Sequence, residues 1–259
     1  MDTMSDEDKL AAQRTWPEIV DRIRARTPAR IFVERGAAYS TRMELELRSA
    51  HASAVDAVWT EFELKKDLTA EFVARWRLFQ VDSWAESKSQ YLLRPDLGRR
   101  LSEAGKSLIV ENCAAAPDVQ IVIGDGLSGA AVSAQVPGLL PLLQEQLVER
   151  GWKIGRTFYV HRCRVGILNE IGELLRPRVL VLLIGERPGL ATAESLSAYM
   201  AFRPRAGQTD ADRNLISNIH VRGVRVEEAA ERITRLAARM MALQLGGTTV
   251  KEQAGELIG

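Results

Sequence analysis

The chain is poor in the residues that usually announce a chemistry. It has 259 residues, with two cysteines and three histidines among them. Cys113 and Cys163 are too few for a disulfide framework and lack metal-site spacing, so two reduced thiols are expected. His51, His161 and His220 are far apart in sequence. No G-x-S-x-G elbow appears, which leaves a hydrolase triad without support. Charge of one sign is also missing. Charged residues make up 27% of the chain but nearly cancel, to +1, whereas a nucleic-acid binder usually shows a basic face. No apolar run reaches the roughly 18 residues of a membrane span. The start, "MDTMSDEDKLAAQRTW", is acidic and has no apolar signal core, so nothing directs export. A cytoplasmic protein is the expectation. What is present is hydrophobic material, 46% of residues, enough for a sizeable core.

The first part of the chain reads as mainly helical. "WPEIVDRIRAR" has Pro17 at a first-turn position and apolar residues at 16, 19, 20 and 23. "ARIFV" reads as a short strand. A helix with a thick apolar face is expected over residues 41–59, and "RLFQVDS" as an extended segment. "PDLGRRLSEAGKSLIVENCA" reads as one helix, with Leu97, Leu101, Leu108 and Ile109 on one side.

From Asp118 the pattern changes. "VQIVIGDG" is an apolar run ending in glycines, and a helix is expected from Ser128 to Arg150. "RTFYVH" follows as a strand, "ILNEIGELL" as a short helix, then "RVLVLLIGE" and "LSAYMAFRP" as strands. "TDADRNLISNI" and "VEEAAERITRLAARMMALQ" are expected to be helical, and the tail after Gly246 to be frayed. Strands that alternate with helices and are apolar on both faces argue for a parallel sheet wrapped by helices. No internal repeat or low-complexity tract is visible. The division expected is a mainly helical region over 1–93 and an α/β domain over 94–259.

Ligands of open α/β sheets bind at the carboxyl edge of the strands. "GDGLS" and "GERPG" both fall there. Two readings of "GERPG" stand side by side. In one, Glu186 and Arg187 present an acceptor and a fork of donors to a ligand. In the other they pair with neighbours and the glycines merely turn the chain.

Gly124, Gly126 and Gly129 form G-x-G-x-x-G between a strand and a helix, the dinucleotide fingerprint. Two features count against it. Asp125 puts a negative charge where a pyrophosphate would lie. The second strand ends in His161 and Arg162 rather than an acid, and Glu145, at about the right spacing, falls in the helix. "NIHVRG", Asn218 to Gly223, is one residue from the D-x-H-x-x-G pattern that places a histidine under a corrinoid cobalt. Asn218 stands where the orienting aspartate belongs, and the motif closes the domain instead of opening it. His220 is therefore read as a loop histidine, and His51 as a packing or salt-bridge residue. Asp210 and Asp212 read as first-turn acids following Thr209. No complete catalytic set emerges.

Longer stretches resemble a known family, the small (light) subunit of ethanolamine ammonia-lyase. They are "YLLRPDLGRRLS", "PDVQIVIGDGLS", "IGELLRPRVLVLLIGERPGL", "ESLSAYMAFRPR" and "DADRNLISNIH", and the resemblance covers roughly residues 18–243. It implies a Rossmann-like, doubly wound domain with a mostly parallel sheet, behind a helical N-terminal part. It implies a hetero-oligomer with a large subunit, a barrel that holds the substrate and supplies the chemical groups. It also implies adenosylcobalamin as cofactor, between the subunits and with its own base still on cobalt, for conversion of ethanolamine to acetaldehyde and ammonia. By motif, the cofactor contacts carried over are Val165 of "RCRVGI", Glu186 of "GERPG" and Asn214 of "DADRNLISNIH", where a cysteine can stand in relatives. The Asn214 contact is read as backbone or steric. Asp125 and Ser128 are second-rank candidates. The resemblance puts the catalytic groups on the partner, and no catalytic residue or metal ligand is expected on this chain.

The chain departs from the family at two places. "ERGAAYST" keeps only Arg35, Gly36 and Thr41 of a glycine-rich basic turn. Cys163 stands where relatives prefer glycine, and would be strained if that position needs a positive φ. Both bear on partner docking and cofactor geometry. Some relatives have a longer N-terminal extension associated with bacterial microcompartments. The alternative to the lyase subunit is a stand-alone nucleotide- or corrinoid-binding module.

Overall fold

The computed structural model describes Glu18, Ile19, Asp21, Arg22 and residues 39–252. Those first four residues are helical. The rest of the helix expected at 16–26, the strand expected at 29–33 and most of the departure at 34–41 lie outside the described residues.

Helix α1 (Thr41–Trp59) is capped by Ser40, whose side chain accepts from the Met43 N–H. The thick apolar face expected of it is not a buried one. α1 buries Met43 and Ala50, while Leu45, Val55 and Trp59 are exposed, as is His51. Two short helices follow, α2 (Leu64–Asp67) and α3 (Ala70–Arg75). Then comes strand β1 (Gln80–Asp82), within the segment expected to be extended.

After α4 (Lys88–Leu93), the single helix expected over 95–114 is two elements. A 3-10 turn covers Leu97–Arg99, and α5 covers Glu103–Asn112. Ser102 explains the break. Its hydroxyl accepts from the Gly105 N–H, the geometry of an N-cap, which needs an extended residue and so restarts the helix at Glu103. Leu101, just before it, is fully buried and bridges to Ser83 of the β1 end.

The remaining elements are β2 (Val119–Gly124), α6 (Gly129–Glu149), β3 (Phe158–His161), α7 (Ile167–Leu175), β4 (Val179–Gly185), β5 (Leu196–Phe202), β6 (Arg213–Ile219) and α8 (Val226–Leu243). They form one six-stranded sheet in the order β1-β3-β2-β4-β5-β6. β1, β3, β2 and β4 are parallel, whereas β5 and β6 are each antiparallel to their neighbour. The sheet is therefore mixed rather than wholly parallel. Only residues 186–195 connect β4 to β5, too few for the dozen or so that a parallel crossover needs.

The segment read as a helix at 209–219 is mostly β6. Its helix-start signal is real but local. The Thr209 N–H and hydroxyl both donate to Asp212 Oδ2, closing one 3-10 turn over Asp210–Asp212. At Arg213 the chain goes extended and pairs with β5.

The sheet is covered on both faces. Ile121, Ile123, Val181 and Leu183 point into a core shared with α6 and α8. Val122, Leu180 and Leu182 point into a second core with α5 and α7. This is why β2 and β4 are buried at every position, and why their sequences show no alternation. The tail expected to fray after Gly246 is ordered through a 3-10 turn at Gly247–Thr249. Val250 behind it is 1% exposed.

Candidate functional site

At the carboxyl ends of β2, β3 and β4 lies a cleft of about 310 Å3. β5 begins and β6 ends at this same rim, because Gly185 pairs with Leu196 and Leu196 with Ile219. Its wall includes Gly126, Val165, Glu186, Arg187, Tyr199 and Leu215.

Glu186, the residue after β4, is held by three donors. Ser197 Oγ donates to Oε1 at 2.6 Å, Ser195 Oγ to Oε2 at 2.7 Å, and the Asn218 backbone N–H to Oε1 at 2.8 Å. A carboxylate offers about four acceptor sites, so Oε2 keeps capacity for one donor from outside. Asn218 makes its bond with φ at +61°, a left-handed conformation that asparagine tolerates. Arg187 is exposed and lines the cleft. Of the two readings of "GERPG", pairing with neighbours holds for Glu186. Arg187 faces the opening.

The glycines serve the protein's own packing. Gly126 has φ at +58°, and a Cβ there would stand 2.2 Å from the Gly185 carbonyl oxygen. A Cβ on Gly185 would meet the Ser128 carbonyl oxygen at 2.0 Å. "GDGLS" and "GERPG" thus press against each other, and the Leu127 N–H donates to the Gly185 carbonyl. The other two fingerprint glycines are also filled by protein. Cys163 lies against Gly124, and Phe62 against Gly129. The close approach that the fingerprint reserves for a pyrophosphate is taken.

Asp125 is buried, with its charge turned inward. It accepts the Arg162 N–H at 2.9 Å and the Cys163 N–H at 2.8 Å. Burial pushes its carboxyl above the ordinary carboxylate range, and the two N–H groups, His161 and Lys88 pull the other way. Ser128 caps α6 through the Ala131 N–H and donates to the Ala193 carbonyl at 2.5 Å, tying the two loops together. The strain expected at Cys163 lies one residue earlier. The positive φ, +55°, belongs to Arg162, and Cys163 fits without it. Burial also holds the Cys163 thiol well above its usual pKa, reinforced by the Asp125 charge and opposed by Arg164.

Val165 and Glu186 are brought to one cleft. Asn214 sits further along β6, opposite Met200, with its side chain turned to the C-terminal turn. Its Nδ2 donates to the Gly247 and Val250 carbonyls, and its Oδ1 accepts the Gly247 N–H at 2.7 Å. Neighbouring Leu215 and Ser217 face the cleft. His220 has both ring nitrogens engaged. Nε2 is 2.8 Å from Asn218 Oδ1, and Nδ1 accepts from the Arg222 N–H at 3.2 Å, which assigns the proton to Nε2. The loop reading of His220 holds. His161 lies between Asp82 and Glu61 outside this cleft. No group of three or more metal-ligating side chains occurs among the described residues.

Sequence reasoning missed Tyr91, Ser195 and Ser197. Tyr91 comes from α4, and its hydroxyl stands 2.7 Å from the Gly126 carbonyl and 2.8 Å from that of Cys163. The serines lie in the stretch "ESLSAYMAFRPR", but nothing in that stretch points to Glu186. Only their placement at the start of β5, opposite Gly185, reveals their use.

The family model described as ethanolamine ammonia-lyase light chain (EutC) matches residues 17–251. The chain belongs to the ethanolamine ammonia-lyase light-chain family. It is 40% identical to an ethanolamine ammonia-lyase small subunit of Clostridium perfringens over 230 residues, 88% of this chain and 76% of that one. It is 39% identical to one of Clostridium acetobutylicum over 235 residues, 90% and 95% of the two chains. It is 36% identical to one of Pseudomonas syringae pv. tomato over 253 residues, 96% and 86%. Membership makes the chain a lyase subunit, and "small subunit" implies a larger partner. No described helix is long and apolar enough to cross a membrane.

Proposed function

We propose that this chain supplies one wall of the adenosylcobalamin site of a hetero-oligomeric ethanolamine ammonia-lyase, and that the large subunit supplies the substrate site and the catalytic groups. The observation that carries this is the meeting of Val165 and Glu186 in one cleft at the carboxyl rim. The family names alone stop at the lyase and its small subunit.

The residues fit such a group. A corrinoid is large, mostly uncharged and fringed with amides. It needs apolar surface and hydrogen bonds of both senses. Val165 and Leu215 offer the first, Glu186 Oε2 accepts, and Arg187 donates. A cleft of about 310 Å3 is at the small end of those that engulf a drug-sized ligand, so it takes only one edge of a corrinoid. A second polypeptide then closes the site. The cofactor supplies the radical chemistry, and this chain positions and shields it. Asn214 contributes through its backbone or its bulk, because its amide is committed to Gly247 and Val250. We assign residues 1–93, whose sequence reads as mainly helical, to partner docking and residues 94–259 to a Rossmann-like cofactor domain, in an enzyme of the cytoplasm or of a bacterial microcompartment within it.

The test is reconstitution. This chain, a large subunit and adenosylcobalamin are mixed and acetaldehyde is assayed. Turnover is expected only with both subunits present. Full activity of the large subunit alone would refute the role.

A further inference from the structure

We infer that Tyr91 and Asp125 are positioning residues of the corrinoid wall. Together they fix the gap between the β2–α6 loop (125–128) and the β3–α7 loop (162–166), and so the place from which Val165 is presented. The inference rests on the cofactor reading of the cleft.

The two side chains divide the work by hydrogen-bond sense. Both Asp125 oxygens accept, one from the Arg162 N–H and one from the Cys163 N–H. The Tyr91 hydroxyl shares its proton between the carbonyls of Gly126 and Cys163. Cys163 is thus gripped at its N–H by one residue and at its carbonyl by the other. Val165 lies two residues further on. Arg164, between them, is fixed from the same source. Its guanidinium lies 4.2 Å over the Tyr91 ring, and its Nη2 donates to the Tyr91 carbonyl at 3.3 Å.

The grip is not needed to pair the strands. Register between β2 and β3 ends at Gly124 opposite Val160, and the grip begins beyond it. Nor is it cheap to maintain. It buries a carboxylate and a phenol, and it holds Arg162 at a φ of +55°, a left-handed conformation that arginine rarely adopts. A loop that merely turned would need none of this.

Tyr91→Phe removes the hydroxyl and keeps the ring under Arg164. Asp125→Asn keeps the shape but presents an amide N–H where a backbone N–H already points. Each variant is assembled with the large subunit and dialysed to equilibrium against cyanocobalamin, and the KM for adenosylcobalamin and kcat are measured alongside. The Kd should rise roughly tenfold in each, the loss of about one such hydrogen bond. KM should move with it, and kcat at saturation by less than about twofold. Glu186→Gln serves as the separate arm. If Glu186→Gln leaves cyanocobalamin binding unchanged, the cofactor reading of the cleft is wrong. If Glu186→Gln weakens binding while Tyr91→Phe lowers only the melting temperature, the positioning role is wrong. Tyr91→Phe, the milder change, decides the matter should Asp125→Asn fail to fold.

Discussion

The side chain of Cys163 occupies the space above Gly124. A Cβ built on the glycine would stand 2.8 Å from both the Cβ and the Sγ of the cysteine. Gly124 ends β2 and Cys163 lies in the loop just after neighbouring β3, and the two form a complementary small–large pair.

Gly124→Ala should therefore destabilise the protein by overpacking, by about 1–3 kcal/mol. Thermal unfolding would show a fall of several degrees for a chain of this size. Cys163→Gly should recover part of that loss when combined with Gly124→Ala, because it empties the space the new methyl needs. Strictly additive losses in the double variant would contradict the pairing.

Ser195 and Ser197 orient Glu186. Replacing both with alanine removes two of its three donors while leaving the carboxylate in place. The reconstituted complex should then bind cyanocobalamin roughly tenfold more weakly, with unchanged subunit assembly. Equilibrium dialysis measures the first and sedimentation the second. Unaltered affinity would mean that the orientation of Glu186 is irrelevant.

Acid should loosen the turn between β6 and α8. Burial lowers the pKa of His220 below its ordinary 6.5, with Arg222 acting in the same direction and Glu186 against it. Between the lowered value and 6.5 the unfolded chain binds more protons, so stability rises with pH there and is lost as pH falls. Protonation also sets an Nδ1–H against the Arg222 N–H that Nδ1 now accepts. Hydrogen-exchange protection factors at residues 218–224, corrected for the intrinsic pH dependence of exchange, should fall below pH 6.5, and His220→Gln should flatten that dependence.

Asn214→Cys installs the residue that relatives can carry, and it breaks three hydrogen bonds to the C-terminal turn. The expected cost is about 1–3 kcal/mol, together with faster proteolysis after Gly246. Corrinoid affinity should hold, since the proposed contact at this position does not use the amide. A large drop in affinity without any loosening of the turn would reverse that assignment.

The isolated chain should not bind NAD. The Gly185 carbonyl fills the space beside Gly126 that the fingerprint would reserve for a pyrophosphate. Saturable binding in a fluorescence titration would show that this packing opens.

The sequence made the central strands legible. β2 and β4 are unbroken apolar runs because both of their faces are covered. The carboxyl rim was legible too, from glycines following those runs. What was hidden depended on partners distant in the chain. β6 looked helical because Thr209 and Asp212 form a true helix-start turn, and only pairing with β5 pulls the chain straight afterwards. The antiparallel direction of β5 could have been read from the short connection before it. Tyr91 could not, because a tyrosine on a short helix gives no hint that its hydroxyl reaches two loops at positions 126 and 163. Asp125 drew attention as a charge facing a ligand, whereas it answers two backbone amides instead.

The sheet's two margins are closed to lateral growth. β1 is only three residues long, and β6 has a register break against β5 and the C-terminal turn bonded to Asn214. Neither offers the long, straight border onto which a foreign strand could zip. Strand addition at either margin is therefore disfavoured, which leaves helix faces and loop tips as the surfaces on which a companion protein is met.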